Sequence, residues 1–475
     1  MLTAQKLEEV VYGRREPEEG LLHLAVADNL ETFLAGLAEI GHELSRHVEK
    51  ELREFVGCGV LGNGFVRLRC DDCGEKERVV AFSCKGRGFC PSCTGRRMAD
   101  TSARLVDDVF PREAPVRQWV LSLPLEIRYR LAHDGDLLSD VLGLFLRVVR
   151  RWYRERGREL GLAECRGGSV TFAQRFGSAL NLNPHFHALA LDGVFNARNN
   201  FFHPAPELTD DDVKRIVKTV ASRVLRLLER RGALDPDSLD PLCDDSPVLA
   251  GISAASVRGL VATGDRAGRV VRRVLTDPAE PVRTGPLCFA SRGFSLHAAT
   301  RIEAGDRAGL ERLCRYVARP PLATGRLARI DDERLSFQLK TPWEDGTTHL
   351  ILSPLELIEK LAALVPPPRI NLVRYHGVLA AHAKDRDKIV PKKPDAEKLR
   401  ETRGASRNRL LWAALLARVF AIDVTKCPKC GGRLRLVAAV TDAASAKRYL
   451  DGVGLPSAVP ELAPARAPPQ MKFDW

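Results

Sequence analysis

Apolar side chains recur at helical spacing between residues 21 and 56, where Leu30, Phe33, Leu34, Leu37 and Ile40 share one face. This spacing predicts a small helical region over residues 1–57. From Cys58 the texture changes to Gly, Cys and short alternating runs such as Phe65-Val66-Arg67-Leu68, which suits a compact metal-stapled module over 58–100. Strand-like and helix-like segments then alternate. WVLSLP reads as a strand, Leu137 to Tyr153 as a helix, HFHALALDGVF as a strand, Thr209 to Arg231 as a long helix, and FSLHAATRI as a strand before a helix that stops at Pro320-Pro321. An α+β core is expected over 101–330. The hairpin RLSFQLKTPWEDGTTHLIL, turning at Glu344-Asp345-Gly346, and a helix from Pro354 to about Leu364 should extend that core over 331–383. Residues 384–408, rich in Lys, Arg, Asp and Pro, read as a solvated linker, 409–455 as a small α/β region, and 456–475 as a disordered tail.

Charge adds a partner class. Lys and Arg number 73 against 61 acidic residues, a formal charge of +12, and the arginines favour bidentate contacts to phosphate. A polyanionic partner is expected. The opening residues lack the basic and then apolar run of a signal sequence, and no apolar run is read as reaching the ~18 residues of a membrane span, so the expectation is a cytoplasmic protein with no membrane partner. Its twelve cysteines would then be reduced, and clustered pairs read as metal ligands.

Two C-x-x-C pairs, Cys70/Cys73 and Cys90/Cys93, are separated by sixteen residues, within the spacing of a four-cysteine zinc site. Tetrahedral closure leaves no open position, so the expected role is structural. Lys85, Arg87, Arg96 and Arg97 crowd the second pair and would form a basic surface for DNA. Cys58 and Cys84 are left over; either could replace one ligand or sit in the core, and core placement is the expectation. A third pair, Cys427/Cys430, is a candidate for a second zinc but has no companion nearby in sequence.

His185 and His187 stand two apart at the start of an apolar strand, so both imidazoles face one side and Phe186 the other. This is half of a divalent-ion site. Gln174 is the candidate third ligand if its strand lies alongside; Asp192 falls at the far end of the histidine strand. On the helix Asp306 to Ala318, Tyr316 sits at the edge of the apolar face, with Arg312 and Arg319 on the same side. Guanidinium groups there would ease phenolate formation and hold the oxygens of a phosphodiester. An amphipathic boundary tyrosine has the same pattern, so only its pairing with the histidine strand makes a nicking site: a metal-polarised phosphate attacked by Tyr316.

The segments RCDDCGEKERVVAFSCKGRGFCPSCTGRRM, TFAQRFGSALNLNPHFHALALDGVF and RYVARPPLATGRL resemble, in that order, the IS91 family of rolling-circle transposases, which are HUH endonucleases. VRQWVLSLP, NLVRYHGVLAAHAKDRDKIVP and FAIDVTKCPKCGGRLRL extend the likeness over most of residues 50–455. The resemblance implies an antiparallel sheet with the His-Phe-His strand central, Mg2+ or Mn2+ as the working ion beside structural Zn2+, and Tyr316 as nucleophile with His185 and His187 as metal ligands. It implies as partners single-stranded DNA, the hairpin ends of the chain's own insertion element, target DNA and the host replication machinery. Some relatives carry two tyrosines four residues apart; here the earlier position is Arg312, which speaks for a single-tyrosine mechanism. A replication initiator or relaxase would use the same chemistry, although the N-terminal zinc module argues against both. A zinc-ribbon DNA-binding regulator would leave His185, His187 and Tyr316 as scaffold, and a hydrolase of small phosphodiesters would not need the tyrosine.

Overall fold

A computed structural model describes residues 16–73, 78–234, 240–275, 285–391, 427 and 429–466. The architecture is α+β. Its centre is a seven-stranded antiparallel sheet in the order Cys288–Ser291, Phe294–His297, Val116–Ser122, Leu182–Leu191, Gly168–Phe176, Val373–Gly377, with Arg301–Ile302 also paired to Val116–Ser122. The histidine strand, Leu182–Leu191, is thus internal, and strand alternation decides what each face meets. Phe186, Ala188 and Ala190 face the long helices Gly135–Glu159 and Asp210–Arg230. Leu189 and Leu191 face the helices Pro91–Asp108 and Arg307–Val317, through Leu105, Val106, Leu310, Leu313 and Val317. Side-chain oxygens cap these helices: Asp306 accepts from the Gly309 N–H, and Thr209 forms a capping box with Asp212.

The far end of the histidine strand is locked by charge. The carboxylate of Asp192 accepts from Arg117 Nε at 2.9 Å and Nη2 at 3.0 Å, from Arg301 Nε at 2.7 Å and from the Tyr153 hydroxyl at 2.8 Å. Both Arg117 and Asp192 are buried, so removing the carboxylate strands a cation in the interior. Asp192→Ala should destabilise the sheet by about 3–5 kcal/mol, measured as a lower urea midpoint. A midpoint unchanged from wild type would show that water reaches Arg117.

Three expectations from the sequence need correction. The strands Leu335–Gln338 and Thr347–Leu352 do form a hairpin, with Gly346 at a φ of 82°, but they belong to a separate four-stranded sheet with Leu327–Arg329 and Arg272–Leu275. That sheet shares its core with the N-terminal helices Leu21–Ala27, Leu30–Glu39 and Arg46–Val56 and the helix Pro354–Leu364, and it meets the histidine strand only at its first residue, Leu182. In the described part of the small α/β C-terminal region, the strand Leu434–Val440 pairs antiparallel with Phe65–Cys70, and Ala446 and Leu450 of the following helix Ala443–Val453 bury against Leu61 and Phe65. Residues 384–391 are no solvated linker, since Ile389 and Asp385 are buried, and 456–466 are not disordered: the Ala463 N–H donates to the Ala27 carbonyl and the Arg466 N–H to Thr32 Oγ1. The rest of the expected linker and tail, 392–408 and 467–475, lies outside the described residues.

The stretch Leu21–Glu39 is long and apolar enough to cross a membrane by composition. Two helices divide it at Asp28-Asn29, and Leu22, Val26, Leu30, Phe33 and Leu37 are buried in the protein core, which accounts for the apolarity.

Candidate active site and cysteine centres

On the histidine strand, His185 lies opposite Gln174 on one side and Ser122 on the other, and His187 opposite Phe172 and Val120. Directly opposed residues point to the same face, so His185, His187 and Gln174 converge. The imidazole rings are 4.9 Å apart between centroids. His185 Nδ1–H donates to the Asn183 carbonyl at 2.7 Å, which leaves its Nε2 lone pair free. His187 Nδ1 is hydrogen-bonded to the side-chain amide of Gln118 at 2.6 Å, and its Nε2 is buried without a partner. Gln174 Nε2 donates to the Val317 carbonyl at 2.6 Å, and its Oε1 is likewise buried and unpartnered. Two orphaned acceptors plus a free imidazole nitrogen on one face fit a divalent cation. Burial favours the neutral imidazoles that metal binding needs: it lowers His185 to about 4, with Arg319 adding to it, and His187 to about 2, with His185 and Arg319 adding to it.

The helix Arg307–Val317 brings Tyr316 to this face. Its ring centroid is 6.0 Å from that of His187 at 84°, and the residue is 41% exposed, so the phenol stands between the imidazoles and solvent. Arg319 stacks over the Tyr316 ring at 4.6 Å, and Lys340 Nζ lies 5.1 Å from its centroid. Arg312 is exposed one turn earlier. Gln118 and Lys340 escaped the sequence reading. The first carried a signal, a polar residue inside the apolar run VRQWVLS; Lys340 carried none, because only folding brings it to the tyrosine. Asp192 stays with its arginines, away from this cluster.

The cysteines regroup. Cys58, Cys84, Cys90 and Cys93 form one cluster and Cys70, Cys73, Cys427 and Cys430 another, each with all sulfurs within 4.8 Å of one another. The four-cysteine site expected from Cys70, Cys73, Cys90 and Cys93 is therefore split, and Cys58 and Cys84 are not spare core thiols. Sulfur separations are 3.7 Å for Cys58–Cys93, 3.5 Å for Cys58–Cys90 and 3.4 Å for Cys84–Cys93. In the other cluster, Cys70–Cys430 is 3.5 Å and Cys73–Cys427 3.7 Å. A tetrahedron with zinc–sulfur bonds of about 2.3 Å has edges of about 3.8 Å, so both clusters have the size of a four-thiolate zinc site. The physical reason for the split is the sheet: pairing of Leu434–Val440 with Phe65–Cys70 carries the turn at Cys427–Cys430 onto Cys70 and Cys73, while Cys90 and Cys93 start the helix that docks beside Cys58 and Cys84.

The basic residues around Cys90 divide too. Lys85 adopts a left-handed φ of 60°, and its carbonyl and that of Gly86 accept from Arg97 at 3.3 Å; Arg87 donates to the Ile370 carbonyl. Arg96 is exposed. Arg87 and Arg97 thus brace the cysteine turn, and both also line a cleft of about 120 Å³ with Gln174, Arg175 and Arg319.

Residues 26–123 match a family described as "Transposase zinc-binding domain", of the IS91 type, and residues 168–387 match one described as "Putative transposase". The chain belongs to the IS91-type transposases. No curated protein and no solved structure gives a significant match. The transposase matches cover the first cysteine cluster, the histidine strand and Tyr316, and leave Cys427 and Cys430 outside. As a transposase the protein acts on DNA, and its N-terminal domain binds zinc.

Proposed function

We propose that this transposase nicks and rejoins single-stranded DNA at the ends of its insertion element through a covalent 5′-phosphotyrosine, the chemistry of rolling-circle transposition. The observation that carries the reading is the approach of the Tyr316 ring to the His187 ring at 6.0 Å. Tyr316 Oη attacks the scissile phosphorus; the Oη–P bond forms, the P–O3′ bond breaks, and the 3′ oxygen leaves as a hydroxyl after taking up a proton. Because the linkage is conserved on the tyrosine, a later 3′ hydroxyl can reverse the step and join strands, which attack by water would forbid. Arg319 and Lys340 flank the phenol and supply positive charge for the phenolate and the phosphate oxygens; Arg312 and, across the cleft, Lys85, Arg87, Arg96 and Arg97 contact the strand around them. His185, His187 and Gln174 would hold Mg2+ or Mn2+, which would supply Lewis-acid polarisation of the phosphate. With one tyrosine in the helix, a single covalent intermediate forms at a time.

Incubating the zinc-loaded protein and a divalent ion with labelled single-stranded oligonucleotides spanning the element's ends should give a metal-dependent covalent adduct whose peptide maps to Tyr316. A binding-only regulator gives no adduct, and a hydrolase of small phosphodiesters gives turnover without one; either result overturns the reading. Gln118 orients the working imidazole: its amide Nε2 holds the ring at Nδ1 and keeps the Nε2 edge of His187 turned toward the site. Gln118→Ala should weaken divalent-ion affinity about 10–100-fold, read by Mn2+ titration, with little change in zinc content.

Each cysteine cluster holds one structural zinc, Cys58, Cys84, Cys90 and Cys93 in the first and Cys70, Cys73, Cys427 and Cys430 in the second.

A further inference from the structure

Apart from Leu372 and Val373, which line the cleft beside Gln174 and Arg319, the block NLVRYHGVLAAHAKDRDKIVP lies away from the nicking centre, and its position in the fold points elsewhere. Its strand Val373–Gly377 is the edge of the central sheet, and the residues after it wall a groove of about 590 Å³. The other wall is the long helix Gly135–Glu159, from which Arg147, Arg150 and Arg154 line the groove at helical spacing. Arg166 and Lys384 add two more cations, and the lining carboxylate, Asp385, is already engaged by Arg166 and Lys388. Among the described residues none of Arg147, Arg150 and Arg154 has an ion pair, so three guanidiniums crowd together without a counter-charge.

The floor adds an independent sign. Ser169 lines the groove, is 2% exposed, and its Oγ has no hydrogen-bond partner. His376 stands opposite Ser169 across the strand pair, and its Nε2 is buried and unpartnered as well. Buried polar atoms are normally satisfied, so two orphaned groups beneath a row of arginines mark a place built to receive an acceptor-rich ligand. Ser169 is opposite Ala190, three residues beyond His187 and on the other face of the histidine strand, so the groove is about 10 Å along the sheet from the imidazoles and on its reverse side.

We propose that this groove is a second DNA-binding site, which holds the sugar-phosphate backbone of a strand that passes around the sheet edge at Val373–Gly377. Arg147 to Arg154 span about 10 Å of helix, enough to meet about two or three successive phosphates of one strand. Ser169 donates to a phosphate or sugar oxygen at the floor, with His376 beside it on the neighbouring strand. The proposal rests on the family assignment and not on the nicking chemistry: the groove anchors DNA while the tyrosine face acts on another part of it.

The test uses full-length, zinc-loaded protein and a single-stranded 40-mer carrying photoreactive bases, with crosslinked peptides identified by mass spectrometry. Crosslinks are expected on the peptides holding Arg147 to Arg154 and Val373 to Lys384, and equally in Tyr316→Phe protein, so failure of the nicking chemistry leaves this outcome untouched. The combined variant Arg147→Gln, Arg150→Gln, Arg154→Gln should lose those crosslinks, bind the 40-mer about tenfold or more weakly, and show a salt-dependence slope smaller by about 2. The matching lysine variant keeps the charge and should retain the slope. Arg151→Gln, on the exposed side of the same helix and paired with Glu155, should change neither. Unchanged affinity and slope in the triple glutamine variant at wild-type zinc content, or crosslinks confined to the tyrosine face, would overturn the proposal.

Discussion

Tyr316→Phe is expected to abolish covalent capture of single-stranded DNA, lowering the nicking rate on the order of 10⁴-fold or more, the scale of losing a covalent nucleophile elsewhere. That corresponds to about 5.5 kcal/mol of barrier. The size follows from chemistry, since the phenylalanine ring has no oxygen to form the bond to phosphorus. Everything else at the face survives: the ring still sits beside His187 and beneath Arg319 and Lys340, so DNA affinity should stay within about twofold. Separation of the two readouts is the point. A variant that lost binding and nicking together would make Tyr316 a structural contact, and one that kept the adduct would move the nucleophile to another residue.

The second large effect concerns the cysteines. Wild-type protein should carry two zinc ions per chain, and Cys430→Ser should carry one. Cys73 and Cys427 are 354 positions apart, so the second cluster ties the two ends of the chain into one sheet. An apparent binding free energy of about 10–16 kcal/mol for a structural zinc is far more than the small contact of Ala446 and Leu450 with Leu61 and Phe65 can replace. Loss of the ion should therefore free the strand Leu434–Val440, and limited proteolysis should remove the C-terminal segment while the central sheet stays folded. Cys93→Ser should do worse. Its cluster is embedded with Phe55 and Phe89 in the core shared by the N-terminal helices and the Pro354–Leu364 helix, so that variant should accumulate little soluble protein. Cys430→Ser protein that still holds two zinc ions, or a C-terminus as protected as in wild type, would refute the division into two clusters.

Much of this was legible in the sequence, for local reasons. Period-two alternation at His185-Phe186-His187 put both imidazoles on one face before any partner was known, because strand geometry alone decides it. Helical periodicity likewise set Tyr316 at the edge of an apolar face, and Thr209, Ser353 and Asp306 marked their helix starts through local capping. The C-x-x-C pairs announced clustered thiols, and the structure gathers each of them into a four-cysteine cluster, though with other partners. Only the tertiary structure decided what meets across distance. Gln118 reached His187, Lys340 reached Tyr316, and Cys70 and Cys73 chose Cys427 and Cys430 over Cys90 and Cys93. Spacing along the chain speaks for knuckles that close on their neighbours, whereas the actual pairing was set by a strand added from the far end, whose hydrogen bonds and buried side chains outweigh proximity in sequence.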